Sequence, residues 1–282
     1  MTVVWRPDYN GTPGKMTLAQ EFTPQSYMYE FPSQYPVWTP ADITTALWLD
    51  AADASTITES GGAVSQWNDK SGNSRNATQA TSSSRPTLTT AAQNSRNVIT
   101  FDGTADFMEF SGITLDNNNT FVFSVYNRTA ANTNSIDVGS ITANTSAPER
   151  GYGNLWFRDN VLYSILRSTN IGVHGTASTA TGVTLNSLAR NGTGTQAWRN
   201  GTVLGTRQAA ASAANPVLNQ IGRQNSPTGF YYLTGFIAEI IIGRFDISDA
   251  TRQKIEGYLA HKWGLTANLP AGHPYKLVGP TP

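Results

Sequence analysis

The chain has 282 residues, of which 13% are charged, with 19 Lys and Arg against 19 Asp and Glu, and it contains no cysteine. That balance leaves no global field to draw in nucleic acid or an anionic membrane, and the missing thiols exclude disulfides, thiolate catalysis and cysteine zinc sites. A chain of this length can bury one large core, so one domain with an appendage is expected.

Residues 1–42 are read as the appendage. Pro7, Pro13, Pro24, Pro32, Pro36 and Pro40 break helices and central strands, while Trp5, Tyr9, Phe22, Tyr27, Tyr29, Phe31, Tyr35 and Trp38 are interleaved with them. A disordered tail is poor in aromatics. The pattern therefore predicts an extended arm that docks its rings, either on its own domain or on a neighbouring subunit or anchoring protein. The opening MTVVWRPDYNGTPG has no apolar run of signal-peptide length, and nowhere do about 18 apolar residues follow one another as a membrane helix requires. Synthesis in a cytoplasm without processing, and no membrane insertion, are the expectations.

The domain proper is placed at 43–282. Residues 43–50 predict a strand with Leu47 and Leu49 on one side and Trp48 on the other. Trp67 is a core candidate, and residues 69–73 form a tight polar turn. A strand over 98–101 ends in Asp102-Gly103 and is followed by another over 107–110. In 120–126, TFVFSVY, both alternating sets are mainly apolar, which suits a central strand of a sandwich. The middle of the chain reads as hairpins, including strands over 195–198 and 203–204 joined through Asn200-Gly201, the strongest short hairpin signal.

Two periodicities meet near the C-terminus. Residues 236–242 are almost all apolar and mostly β-branched, and Gly235 and Gly243 bound them, which predicts a buried strand. Beyond Asp246, Ile255, Tyr258, Leu259 and Trp263 recur at helical steps, with Ser248 as N-cap, Asp249 at the positive end of the dipole and Gly264 as C-cap.

The stretches LWLDAAD at 47–53 and WNDKSGN at 67–73, the FDG wording at 101–103, and the closing order of strand, capped helix, Trp263-Gly264-Leu265 and His273-Pro274-Tyr275 resemble laminin-G-like members of the concanavalin A-like lectin/glucanase superfamily. The resemblance covers residues 43–276. It implies an all-β fold, an antiparallel concanavalin A-like (jelly-roll) β-sandwich with one short C-terminal helix. Similar domains occur in bacteriophage structural proteins and bacterial surface proteins. The implied role is a non-enzymatic virion component (head-decoration, fibre or tail-associated), joined to other virion proteins through its arm, with a homo-oligomer, a trimer, favoured. The alternative is a carbohydrate-binding adhesion module for a host-surface or environmental glycan, placed outside the cell or on its surface.

Glucanases of that superfamily carry acidic residues at alternate positions of one strand, so that two carboxyls flank the glycosidic bond. The matching strand here, 238–243, holds Glu239 alone, and a carboxylate paired to arginine or backbone is its simpler reading. No phosphate-binding loop, dinucleotide fingerprint or serine elbow is present. Related domains hold calcium through loop carboxylates, which makes Asp50, Asp53, Asp69 and Asp102 candidate ligands, although Asp is also the ordinary turn residue. Tyr152, Trp156 and Trp198 are candidates for stacking on a sugar, with a core ring as the alternative. His174, His261 and His273 lack the helical pairing of a zinc protease and are read as structural.

Overall fold

The computed structural model describes residues 37–114, 119–129, 135–136, 138–143, 151–153, 156–158, 161–164, 172–173, 182–191, 193–209, 217–226 and 229–282, with side chains described over 37–114, 119–129, 182–191, 193–207, 217–223 and 232–282. Strand Thr120–Arg128 lies inside the main sheet with strands on both sides, and its apolar residues on both faces are buried. It pairs antiparallel with Gly182–Asn191 on one side and with Thr234–Gly243 on the other. The far edge of Thr234–Gly243 is shared by Arg96–Asp102, opposite its first half, and Leu47–Asp50, opposite its second. Gly194–Arg199 and Thr202–Ala209 extend the sheet through a hairpin whose turn residues, Asn200 (φ 50°) and Gly201 (φ 75°), both sit in the left-handed region that such a turn demands.

The strand order folds over on itself. Trp67, Met108, Ile113 and Leu218 come from one end of that order, and they pack in one core with Val122, Leu188, Ile240 and Ile242 from the other. This is the antiparallel β-sandwich that the alternating patterns predicted. Leu47 and Leu49 point into this inter-layer core, while Trp48 points the opposite way.

A second core lies on that opposite side, beneath helix α1 (Asp249–Trp263). Phe121, Phe123, Val125, Trp48 and Ile241 of the sheet meet Ile255, Tyr258, Leu259 and Trp263, the residues expected to share the helix face. Each such side chain contributes on the order of 1.5–3 kcal/mol by leaving water. The Ser248 hydroxyl accepts the Thr251 N–H at 3.1 Å, and Gly264 (φ 72°) closes the last turn. The C-terminal tail covers the helix from outside, and a Cβ at Gly257 would collide with Tyr275.

Trp38, the last ring of the predicted arm, is 3% exposed and packs edge-on against Tyr258 at 6.0 Å. The Trp38 backbone N–H donates to the Pro280 carbonyl at 3.1 Å. This ring docks in cis, and packing of the domain begins upstream of residue 43. Trp5, Tyr9, Phe22, Tyr27, Tyr29, Phe31 and Tyr35 lie outside the described residues. Among the described residues, no helix is long and apolar enough to cross a membrane.

Gly235 has φ 148°, and a Cβ there would strike the Asn127 carbonyl oxygen of the neighbouring strand. Gly235→Ala is therefore expected to destabilise the domain by about 2–4 kcal/mol, read as a lowered urea midpoint at unchanged slope.

Candidate functional site

Glu239 reaches its place through a bulge. The pairing of Thr234–Gly243 with the central strand steps from Ile237↔Tyr126 to Glu239↔Val125, which leaves Ala238 as an extra residue. Such an insertion reverses the alternation of a strand. Ile237 faces the inter-layer core, whereas Ala238 and Glu239 both face the helix. On the other edge Glu239 is the direct cross-strand partner of Asp50.

The carboxylate of Glu239 is 0% exposed and is held by four donors. Trp48 Nε1 (2.8 Å) and the Tyr258 hydroxyl (3.0 Å) donate to Oε1, and Trp263 Nε1 (2.8 Å) and Lys262 Nζ (2.7 Å) donate to Oε2. Lys262 also donates to Asp50 Oδ1 at 2.6 Å and to the Tyr258 oxygen at 2.9 Å, so its ammonium is fully used. A second lysine, Lys70, bridges Asp50 Oδ2 at 3.0 Å and Asp53 Oδ2 at 2.8 Å. Burial pushes the Glu239 carboxyl above its ordinary range, with Lys262 pulling against it. Burial, together with the charges of Glu239 and Asp50, pushes the Tyr258 phenol far up, so it remains a donor. The sequence suggested a carboxylate paired to arginine or backbone; the partners are a lysine and three ring donors contributed by the first strand and the last helix.

A second buried acid, Glu256, accepts from Ser187 Oγ at 2.9 Å and from Arg252 Nη1 at 2.7 Å, with His273 Nε2 at 3.3 Å. The Arg252 guanidinium lies over the Trp198 ring at 4.4 Å. Trp198 is 9% exposed, and its face is occupied by that cation, so this ring offers no open platform for a sugar. Tyr152 and Trp156 stand on strands Gly151–Gly153 and Trp156–Arg158, with side chains outside the described set. His261 meets the Tyr275 carbonyl at 2.9 Å, and His174 lies outside the described residues.

The four candidate calcium ligands do not assemble into one site. Asp50 and Asp53 share Lys70, a resident cation. Asp69 accepts the N–H groups of Trp48, Ser71 and Arg75 and the Ser71 hydroxyl, and so closes the 69–73 turn. Asp102 accepts N–H groups from Thr104, Ala105 and Asp106 in a separate turn. Burial pulls the Asp102 carboxyl upward, but these donors and the Thr104 hydroxyl outweigh it and hold it at about 2. Among the described residues, no cluster of three His, Asp or Glu side chains could hold a metal ion. The donor chemistry does not fit calcium, because the oxygens it would need are already engaged.

Open surface of a different kind lies beside the first strand. A cleft of about 540 Å³ is lined by Ile43, Thr45, Asn73, Arg75, Arg244 and Phe245. Asn73 spends its amide hydrogens on the Thr45 carbonyl and Ser71 Oγ, both at 2.9 Å, which leaves Oδ1 as an acceptor. Arg75 Nη1 donates to the Ala46 carbonyl at 2.9 Å. Among the described residues, neither Arg75 nor Arg244 is in an ion pair. Phe245 is half-buried, set edge-on to Phe121 at 5.0 Å. Two arginines, an asparagine, threonines and an aromatic residue thus line one concavity. Sequence reasoning missed it because Arg75 and Arg244 lie far apart in the chain.

No family model matches the chain, and neither does any curated protein. Solved structures do. A sialidase of Trypanosoma rangeli in complex with sialic acid matches with a TM-score of 0.53 at 10% identity, over 80% of this chain and 34% of that one. The same sialidase with 2,3-difluoro-KDN matches with a TM-score of 0.52 at 11% identity, over 80% and 33%. The ligand binding domain of botulinum neurotoxin serotype D in complex with N-acetylneuraminic acid matches with a TM-score of 0.50 at 11% identity, over 76% and 50%. The chain therefore spans about a third of the sialidase and half of the neurotoxin domain, and the likeness is one of fold.

Replacing Lys262 by Met leaves two buried carboxylates without their shared cation, and a loss of about 3–5 kcal/mol in chemical denaturation is expected. Asp106 supplies a pH signature. Burial, reinforced by the charge of Asp102, raises its carboxyl from 3.8 to about 6. The folded state thus holds this proton more tightly than the unfolded chain. Its contribution is full below pH 3.8 and is lost as pH rises through 6. Asp106→Asn keeps an acceptor for the Asp102 N–H, and it should gain about 1–3 kcal/mol over the wild type above that window while matching it below.

Proposed function

We propose that this domain is a non-enzymatic carbohydrate-binding module and that the Arg75–Arg244 cleft is its ligand site. One observation carries the reading: two arginines without an ion-pair partner among the described residues share an open concavity with an amide acceptor and an aromatic ring. Sugar recognition uses hydroxyl-directed polar groups beside an apolar ring face or edge, and a guanidinium adds two-pronged recognition of a carboxylate. The favoured ligand is a glycan bearing an acidic sugar. The solved structures of similar fold support this direction, since the sialidase and the neurotoxin domain were each captured with a sialic acid, N-acetylneuraminic acid in the latter.

The absence of catalysis is part of the proposal. Hydrolysis of a glycoside needs carboxyl groups that reach the substrate. Glu239 does have a carboxylate neighbour in Asp50, which the strand sequence alone could not reveal, but Glu239 is sealed and both acids are bound to Lys262. The virion setting rests on the resemblance carried by the motifs at 47–53, 67–73, 101–103 and 263–275, docking of the arm on a neighbour rests on the interleaved Pro and aromatic residues of 1–42, and a trimer rests on assembly through such arms; the fold neighbours add nothing to any of them. A displayed sandwich with a glycan site is compatible with either a virion or a cell surface.

The test is binding of the full-length protein to an array of sialylated, uronic-acid and neutral glycans, followed by titration of a hit. Acidic glycans are expected to be preferred. Arg244→Ala, an exposed residue, should weaken binding by about 10- to 100-fold at unchanged melting temperature. Binding of neutral glycans alone, or binding indifferent to both Arg75→Ala and Arg244→Ala, would overturn the assignment of the cleft.

A further inference from the structure

The environment of Lys262 is more than a salt bridge requires. Its Nζ lies 2.6 Å from Asp50 Oδ1 and 2.7 Å from Glu239 Oε2. The two acids face each other across paired strands. Three aromatic side chains, Trp48, Tyr258 and Trp263, donate into the same centre. The lysine side chain is 14% exposed, that of Asp50 5% and that of Glu239 0%. An amine nucleophile, an acyl electrophile and a proton carrier are thereby held in contact with little water present, the arrangement in which proximity accelerates reaction most.

We propose that Lys262 and Asp50 condense to an intramolecular amide, with Glu239 as the proton relay and Lys70 as the cation that stabilises the acyl oxygen. A proton crosses from the Lys262 ammonium to Asp50 Oδ1, 2.6 Å away, turning an ion pair into an amine and an acid. The Nζ lone pair attacks Cγ, the new N–C bond forms, and the carbonyl electron pair moves onto Oδ2. Lys70 Nζ, 3.0 Å from Oδ2, balances that charge as an oxyanion donor would. Glu239 Oε2 takes a second proton from the nitrogen and passes it to Oδ1. The Oδ2 pair restores the carbonyl, the C–Oδ1 bond breaks, and Oδ1 leaves as water. Ammonium plus carboxylate becomes amide plus water, with no oxidant, reductant or further reactant.

Two further features suit the chemistry. Burial holds the Glu239 carboxyl above its ordinary range, so it accepts a proton readily. A cleft of about 410 Å³ lined by Val37, Arg96, Tyr258, His261 and Pro280 opens at Lys262 and gives the released water a way out. The bond would tie the first strand of the sandwich to its last helix. It would give a chain that has no cysteine a covalent clasp across almost the whole domain, limiting the unfolded state as a long-loop cross-link does.

The test is the intact mass of the purified full-length protein after prolonged incubation at neutral pH, with peptide mapping after proteolysis. The wild type is expected one water below its sequence mass, with a branched peptide joining the segments that contain Asp50 and Lys262. Lys262→Arg, which keeps the charge but cannot form this bond, should stay at its own sequence mass. Glu239→Gln should remain unbridged or bridge far more slowly. A folded wild type at full sequence mass, the same water loss in Lys262→Arg, or a branch that maps elsewhere would each overturn the proposal. The wild-type readout does not depend on any variant folding.

Discussion

A carboxylate shut away from water must find every partner inside the protein or lose its charge. Glu239 meets that constraint by drawing on both ends of the domain. Trp48 comes from the first strand, and Tyr258, Lys262 and Trp263 come from one and a half turns of the last helix. The helix can sit on the sheet in one register only, since a slip by a single residue would remove two or three donors at once. The bulge at Ala238 is part of the same constraint, because an unbroken strand would aim Glu239 into the inter-layer core. Apolar packing supplies most of the energy of the second core; the buried acid makes its geometry unique.

The polar chemistry of the molecule divides into closed and open parts. Glu239, Asp50 and Glu256 are surrounded by donors and act on the protein itself. Arg75, Arg244 and Asn73 line a cleft with capacity left over. Both kinds of site depend on the segment around the first strand. Asp69 accepts the Trp48 N–H at 2.9 Å, and the turn it closes presents Asn73 and Arg75 to the cleft. Arg244 and Phe245 follow directly on the strand that carries Glu239. The sealed centre thus fixes the frame on which the cleft is displayed, which is what the proposed binding site requires.

Much of the fold was legible in the chain. The alternation of Leu47, Trp48 and Leu49, the doubly apolar TFVFSVY, the Asn200-Gly201 turn and the Ser248 and Gly264 caps each follow from local physics, and each is found in place. The site was less legible because its members meet only through tertiary structure. Glu239 looked solitary since its partners lie 191 residues upstream, in Trp48, and 19 to 24 residues downstream. Asp50 looked like a strand-end ligand, although its register opposite Glu239 makes it half of a buried acid pair. Trp198 looked available on a hairpin, and the cation that covers it comes from a helix more than 50 residues later. One signal was missed: Tyr258 and Lys262, four residues apart, share the helix side that faces a strand containing a lone acid.

The central claim, that Glu239 locks the first strand and the last helix into one unit, is tested most directly by native-state hydrogen exchange on the wild type and on Glu239→Gln. The amides of Leu47–Asp50 and of the last two turns of α1 are predicted to lose protection together and by similar factors, with the hairpin of Ile57–Ser60 and Ala63–Trp67 little changed. Loss confined to the neighbours of Glu239 in its own strand, with the first strand and the helix as protected as before, would contradict it.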